Sequence, residues 1–355
     1  MRIAPSSLPV FLAIAMLLLS GCAGMAGPPP RALLASHVPA DYTGVAAVRR
    51  DRHAPLVVRA SGQASREQGR AHAEDTRFMI GSVTKWISAV TVLRLVDLGT
   101  LDLDAPIARH LPELPADNGA VTLRQLLSNR SGVPNGLSQA LRQDPAVAKL
   151  DIGPVAGAAR FGSGALDARP GERWDYSVTN WVLVAAVVER ATGRRFTDVV
   201  QDLVLAPAGV QHTGFMTTGA EEGGAMAIAY SAAGARKISP APPMVAASGT
   251  LYSTARDLVA LADTVYFTTL LSDRSRRALM TVHVAPEDYA LGGRVRTIAT
   301  RQGARTLAWE SGVSGGYKTL LVVDPADGRA VVLLNNTDMQ QSAQAELAIA
   351  LFNAM

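Results

Sequence analysis

The chain has 355 residues, 34 Lys and Arg against 30 Asp and Glu, a formal net charge of +4, and a single cysteine. One Cys excludes an internal disulfide framework, so stability must come from a hydrophobic core, which this length can build as one large domain or two interleaved ones. The small positive balance, with no broad basic patch, argues against nucleic acid as a partner.

In chain order, Arg2 is followed by the unbroken apolar run Val10 to Leu19 and then Leu19-Ser20-Gly21-Cys22. A basic start, a short apolar stretch and small residues at a boundary describe a secretory signal over residues 1–21. The run is too short to span a bilayer, which needs about 20 apolar residues. Leu-Ser-Gly-Cys resembles a bacterial lipobox, and Cys22 stands where lipidation requires it. The expectation is a membrane attachment through acylated Cys22, on the periplasmic face of the outer membrane because Ala23 follows. Residues 22–35, with Gly27 to Pro30 at their centre, read as a tether. Val45–Val48 and Leu56–Ala60 read as paired strands, with Arg49, Arg50, Arg52 and His53 on an exposed turn between them. A helix begins near Ser82, with Trp86, Val90, Leu93 and Val96 as an apolar stripe and Gly99 as terminator. Residues 101–244 are Pro- and Gly-punctuated and mostly helical, the clearest helix being Trp181–Ala191 closed by Gly193. Ser253-Thr254-Ala255-Arg256-Asp257 reads as a helix start. Thr319–Val323 and Ala330–Leu334 flank Asp324-Pro325-Ala326-Asp327-Gly328 as a hairpin, and a last helix covers about 343–352. The fold expected is α/β of the α+β type. Residues 36–100 and 245–355 supply an antiparallel sheet built from both chain ends and flanked by helices, and 101–244 supply the helical middle.

Ser82-Val83-Thr84-Lys85 places a hydroxyl and an amine three positions apart at a helix start, on one face, so the amine can reach the Ser oxygen. A base that accepts its proton turns a serine into a nucleophile. The bland alternative is a capping Ser followed by a solvated Lys. A rival nucleophile motif, Gly312-Val313-Ser314-Gly315-Gly316, needs a helix after the Ser and a His downstream. A strand-like segment follows instead, and the last His is His283. The six His residues form no metal-ligand spacing, and no phosphate-binding loop is present, so neither a metal nor a cofactor is expected. Tyr176, in Pro170-Gly171-Glu172-Arg173-Trp174-Asp175-Tyr176-Ser177, stands at a loop-to-helix junction where its phenol can point into a cleft. It is a second candidate for moving the Ser proton, or else a core aromatic.

Phe78-Met79-Ile80-Gly81-Ser82-Val83-Thr84-Lys85 resembles the first motif of the serine β-lactamase-like hydrolases, related to class C β-lactamases, D-Ala-D-Ala carboxypeptidases and family VIII carboxylesterases. Leu98–Asp104, Val121–Leu127, Ser131-Gly132-Val133-Pro134, Pro170-Gly171, Ser248-Gly249 and Ser253-Thr254-Ala255 match further family segments in order. The resemblance implies a β-lactamase/penicillin-binding-protein-like fold and acyl transfer through a covalent enzyme. Ser82 would be the nucleophile, Lys85 and Tyr176 the proton carriers, and the backbone N–H groups of Ser82 and Val313 the oxyanion hole. Such donors are worth about 2.7–4 kcal/mol each. Two departures stand out. Where the family commonly has Tyr-x-Asn, this chain has Val178, with Asn180 two residues on. Where Lys-Thr-Gly or His-x-Gly is common, it has Glu310-Ser311-Gly312. A negative Glu310 repels a substrate carboxylate, which points away from penicillins and D-Ala-D-Ala peptides. It points toward a neutral ester or a substrate offering an amine. An esterase-like activity is therefore expected, with a peptidoglycan-directed or β-lactam activity, or a binding module that has lost catalysis, as the alternatives.

Overall fold

The structure, a computed structural model, describes Met1, residues 28–217 and residues 224–355. The signal segment and Cys22 lie outside the described residues. In chain order the elements that position the site are α1 (Pro30–His37), β1 (Gly44–Arg49), β2 (Val57–Ser61), α2 (Val83–Asp97), α3 (Leu123–Leu127), α4 (Val178–Thr192), β3 (Leu251–Ser253), α5 (Ala255–Phe267), β4 (Arg294–Thr300), β5 (Gly303–Ser314), β6 (Tyr317–Val323), β7 (Ala330–Asn335) and α6 (Gln341–Ala354).

Six strands form one antiparallel sheet in the order β4-β5-β6-β7-β1-β2. The N-terminal β1 lies between β7 and β2, with Gly44 opposite Asn335 on one side and Ser61 on the other. Both chain ends therefore share one sheet, and the hairpin around Asp324–Gly328 joins β6 to β7. Alternation along β5 sends Leu307 and Trp309 to one face and Ala308 to the other. The first face packs under α1 and α6 through Leu33, Leu34, Leu347, Leu351 and Phe352. The second merges with α2, α4 and α5 in the main core, which runs without a break from the sheet into the helical 101–244 region.

Three local expectations change. Residues 30–35 are not tether: Pro30 opens α1 at a position where its missing N–H costs nothing, and Leu33 and Leu34 are buried against the sheet. Arg49 is not on an exposed turn. It ends β1 buried, with a bidentate pair to Asp263 at 2.6 Å and bonds to the Gly328 carbonyl. The apolar face of α2 is wider than a stripe, because twelve of its fifteen residues are buried. It is a core helix, and α4 resembles it, ending in the left-handed Gly193. No helix among the described residues is long and apolar enough to cross a membrane.

Candidate active site

Ser82 immediately precedes α2, after Gly81 at φ 52°. Its side chain makes no capping bond, which removes the bland reading and leaves Oγ available. The Lys85 Nζ donates to Ser82 Oγ at 3.2 Å and to the Ser248 carbonyl at 2.5 Å. The Tyr176 hydroxyl donates to the same Ser82 Oγ at 2.8 Å. Thus an amine from the first turn of α2 and a phenol from the loop before α4 converge on one oxygen. Lys85 is 3% exposed, and no acidic partner faces it among the described residues. Its ammonium carbon stem runs between aromatic rings, with Nζ 5.1 Å from the centre of Tyr176 and 5.8 Å from that of Trp181.

The backbone beside Ser82 is shaped by two glycines. A Cβ on Gly81 would lie 2.6 Å from the Val313 carbonyl oxygen and 2.7 Å from its nitrogen. A Cβ on Gly312 would lie 1.9 Å from the Ile80 oxygen and 3.0 Å from the Ser82 nitrogen. Only glycines let the end of β5 slide this close to the start of α2. The contact sets the Ser82 and Val313 amides side by side, and the Ser82 N–H has no hydrogen-bond partner among the described residues. Val313 is 40% exposed, so this recess opens to solvent. Ser314, the rival nucleophile, sits at the end of β5. Gly315-Gly316 is a two-residue hairpin turn before β6, and no helix follows. Its hydroxyl faces the Met79 sulfur at 3.9 Å.

The residues expected to bind substrate fall differently. Asn180 is 1% exposed. Its Oδ1 accepts from Ser131 at 2.7 Å and its Nδ2 donates to Asn129 Oδ1 at 3.1 Å. Asn180 is thus buried, with both Oδ1 and Nδ2 bonded to other side chains of the protein rather than turned out to a substrate. Val178 opens α4 half-buried against the core. Ser311 is half-buried on the opposite face of β5 from Glu310 and Gly312, which share the α2 side.

Glu310 corrects the largest expectation. It is 4% exposed, with no hydrogen bond to its carboxyl among the described residues. Burial pushes its pKa up to about 8, and the charge of Arg294 only partly opposes this. At neutral pH Glu310 carries its proton, so it neither repels a carboxylate nor attracts an amine. A Cβ at Gly293 would meet its carboxylate oxygens at 1.9 and 2.4 Å, so a glycine is what makes room for it. What survives of the expectation is the absence of a cation at this position.

Three groups escaped sequence reasoning. Tyr289 packs its ring edge-on to Tyr176, 6.2 Å between centres, within a cluster completed by Trp174. Burial, reinforced by Tyr176 nearby, raises its phenol well above the ordinary tyrosine value, which keeps it protonated. Ser248, noticed only as part of a recurrent dipeptide, holds Lys85 through its carbonyl. Asn129 follows α3 and bonds Tyr289 through Nδ2 at 2.9 Å. The sequence offered one faint sign for it, an Asn just past a helix end. Among the described residues no group of three or more metal-binding side chains occurs.

Fold and site together define a class: an α/β chain whose serine is met by a lysine and a tyrosine from separate elements, with two backbone amides beside it. Residues 33–354 match the Beta-lactamase family, and the chain belongs to that family. The esterase EstB of Burkholderia gladioli is 40% identical over 179 residues, which is 47% of this chain and 45% of EstB. The putative penicillin-binding protein PbpX of Bacillus subtilis (strain 168) is 25% identical over 234 residues, 61% of this chain and 56% of that protein. The matches span about half the length of these curated relatives. A penicillin binding protein from Bacillus halodurans has the same fold, with a TM-score of 0.77 at 23% identity, covering 91% of this chain and 99% of that one.

Proposed function

We propose that this chain is an exported serine hydrolase that cleaves neutral carboxylic esters through an acyl-enzyme. The observation that carries the reading is the convergence of Lys85 Nζ and Tyr176 Oη on Ser82 Oγ at 3.2 and 2.8 Å. Ser82 Oγ bonds to the ester carbonyl carbon while its proton passes to Lys85 or Tyr176, whichever is in its base form. The carbonyl oxygen gains charge against the Ser82 and Val313 amides. When the tetrahedral centre collapses, the C–O bond to the alcohol breaks and the alcohol leaves with the proton. Water then adds to the acyl-Ser82 carbonyl while its proton passes to the same base; the bond from the acyl carbon to Ser82 Oγ breaks, Oγ takes that proton back, and the acid leaves.

Ester preference is supported by what the site lacks. No cation stands at position 310, the carboxyl there is neutral, and the Asn180 amide is engaged elsewhere. The 40% identity with an esterase over 179 residues agrees with this. Purified protein is expected to hydrolyse short-chain nitrophenyl esters and to gain the mass of a reactive fluorophosphonate on Ser82. Ser82→Ala should lose both while its thermal unfolding is retained. Equal hydrolysis by Ser82→Ala would sink the reading. The similarity to PbpX favours testing one rival: covalent labelling by a fluorescent penicillin would mark a β-lactam-recognising peptidase instead. Attachment to the outer membrane through acylated Cys22 belongs to the same proposal, on the sequence pattern alone.

A further inference from the structure

We propose that Asn129 is a positioning residue for Tyr176, holding the phenol on Ser82 by gripping the chain on both sides of it. The inference rests on the Ser82–Lys85–Tyr176 reading above and adds a residue to it. Asn129 is one of two non-glycine residues with positive φ among the described residues, at 54°. Its backbone ends α3 in a Schellman arrangement. The Asn129 N–H donates to the Leu126 carbonyl at 3.0 Å, and the Arg130 N–H donates to that of Gln125 at 2.7 Å. A glycine serves that backbone role better than any other residue, so capping alone gives no reason for an Asn side chain here.

The side chain and carbonyl have other work. The Asn129 carbonyl accepts the Asp175 N–H at 2.9 Å, and its Oδ1 accepts the Ser177 N–H at 3.4 Å. Residues 175 and 177 flank Tyr176, so one buried residue fixes the backbone before and after the phenol. Nδ2 donates to the Tyr289 hydroxyl at 2.9 Å, and the Tyr289 ring stands at 90° to that of Tyr176. Backbone direction and ring orientation are thus set from the same amide. The far end of the network is closed by Asn180 and Ser131. Around it, Arg130 bonds the Gly171 carbonyl with its guanidinium and accepts the Gly171 N–H at its own carbonyl, stitching down the rest of the loop. None of these groups touches Ser82; Asn129 acts through Tyr176.

The test is Asn129→Gly, which keeps the left-handed cap and deletes only the side chain. Ester hydrolysis is expected to fall roughly tenfold to hundredfold in kcat, the scale on which a misplacement of about 1 Å acts, with KM changed less than about twofold. The rate of fluorophosphonate labelling of Ser82 should fall in parallel. In the Tyr176→Phe background the same substitution should cost almost nothing further, because its target is gone. Tyr289→Phe, which removes only the acceptor of Nδ2 and is the decisive variant if Asn129→Gly does not fold, should lower kcat by a smaller factor. Wild-type kcat in folded Asn129→Gly, or in Tyr289→Phe if Asn129→Gly does not fold, overturns the proposal while Tyr176→Phe remains impaired. An equal loss in the Tyr176→Phe background also overturns it, since Asn129 then acts elsewhere. Unimpaired Tyr176→Phe overturns both this and the catalytic reading.

Discussion

Replacing Glu310 by Gln keeps the shape of a buried side chain and removes its titration. The folded protein holds the Glu310 proton up to about pH 8, whereas an exposed glutamate releases it near 4.5. Between those values the unfolded chain binds fewer protons than the native one, so native stability falls as pH rises through the window. At about 1.36 kcal/mol per pH step the fall sums to roughly 5 kcal/mol, fully developed above about pH 8 and absent below 4.5. Glu310→Gln does not share it. Other groups titrate in both proteins, His72 among them, whose burial lowers it to about 4. The difference between the two proteins therefore isolates position 310. Urea unfolding of each at half-unit steps from pH 5 to pH 9 should show the variant gaining on the wild type by several kcal/mol. A flat difference across that range refutes the reasoning. It would mean that the native carboxylate is ionised throughout, and the charge argument against amine or carboxylate recognition at this position would fall with it.

Gly312→Ala drives a methyl to 1.9 Å from the Ile80 carbonyl and 3.0 Å from the Ser82 nitrogen. The expected outcome is a loss of esterase rate of at least about a hundredfold from the displaced amide, with unfolding lowered by about 1–3 kcal/mol. Asp263→Ala strips the carboxylate from Arg49, whose side chain is 5% exposed. Loss of a buried partner costs about 3–5 kcal/mol. The Gly328 carbonyl still accepts from Arg49, so a fall of about 2–3 kcal/mol in a urea melt is expected, with kcat unchanged. Cys22→Ala should move the expressed protein from the membrane fraction to the soluble one. Persistence in the membrane fraction refutes the anchor.

Much of the frame was legible because its signals are local. The strands at both ends show as short apolar runs around turn residues, and α4 shows its own stop at Gly193. Ser82 and Lys85 are three residues apart on one helix, so helix geometry alone brings them together. Tyr176 came from its place before α4 and from the family motif, although 94 residues separate it from Ser82. Asn129 and Tyr289 lie 160 residues apart, and Lys85 and Ser248 lie 163 apart. No spacing rule links such pairs. Glu310 failed for a different reason: sequence gives a carboxyl, but burial decides whether that carboxyl is an ion. Pro30 was misread because a Gly- and Pro-rich approach describes a linker and a helix start equally well.

The place of β1 in the sheet has a kinetic consequence. Tyr42 bonds the Leu334 carbonyl across 292 residues, and the whole of β1 pairs with β7. A ribosome delivers β1 and α2 well before β7, the strand that completes the sheet. Until then β1 exposes an apolar edge with one neighbour missing, the kind of edge that recruits another chain. A pairing of such long sequence separation raises the loop-closure cost of completing the sheet, which slows folding. Closure of the sheet therefore waits on β7, although Ser82, Lys85 and Tyr176 all precede that strand in the chain.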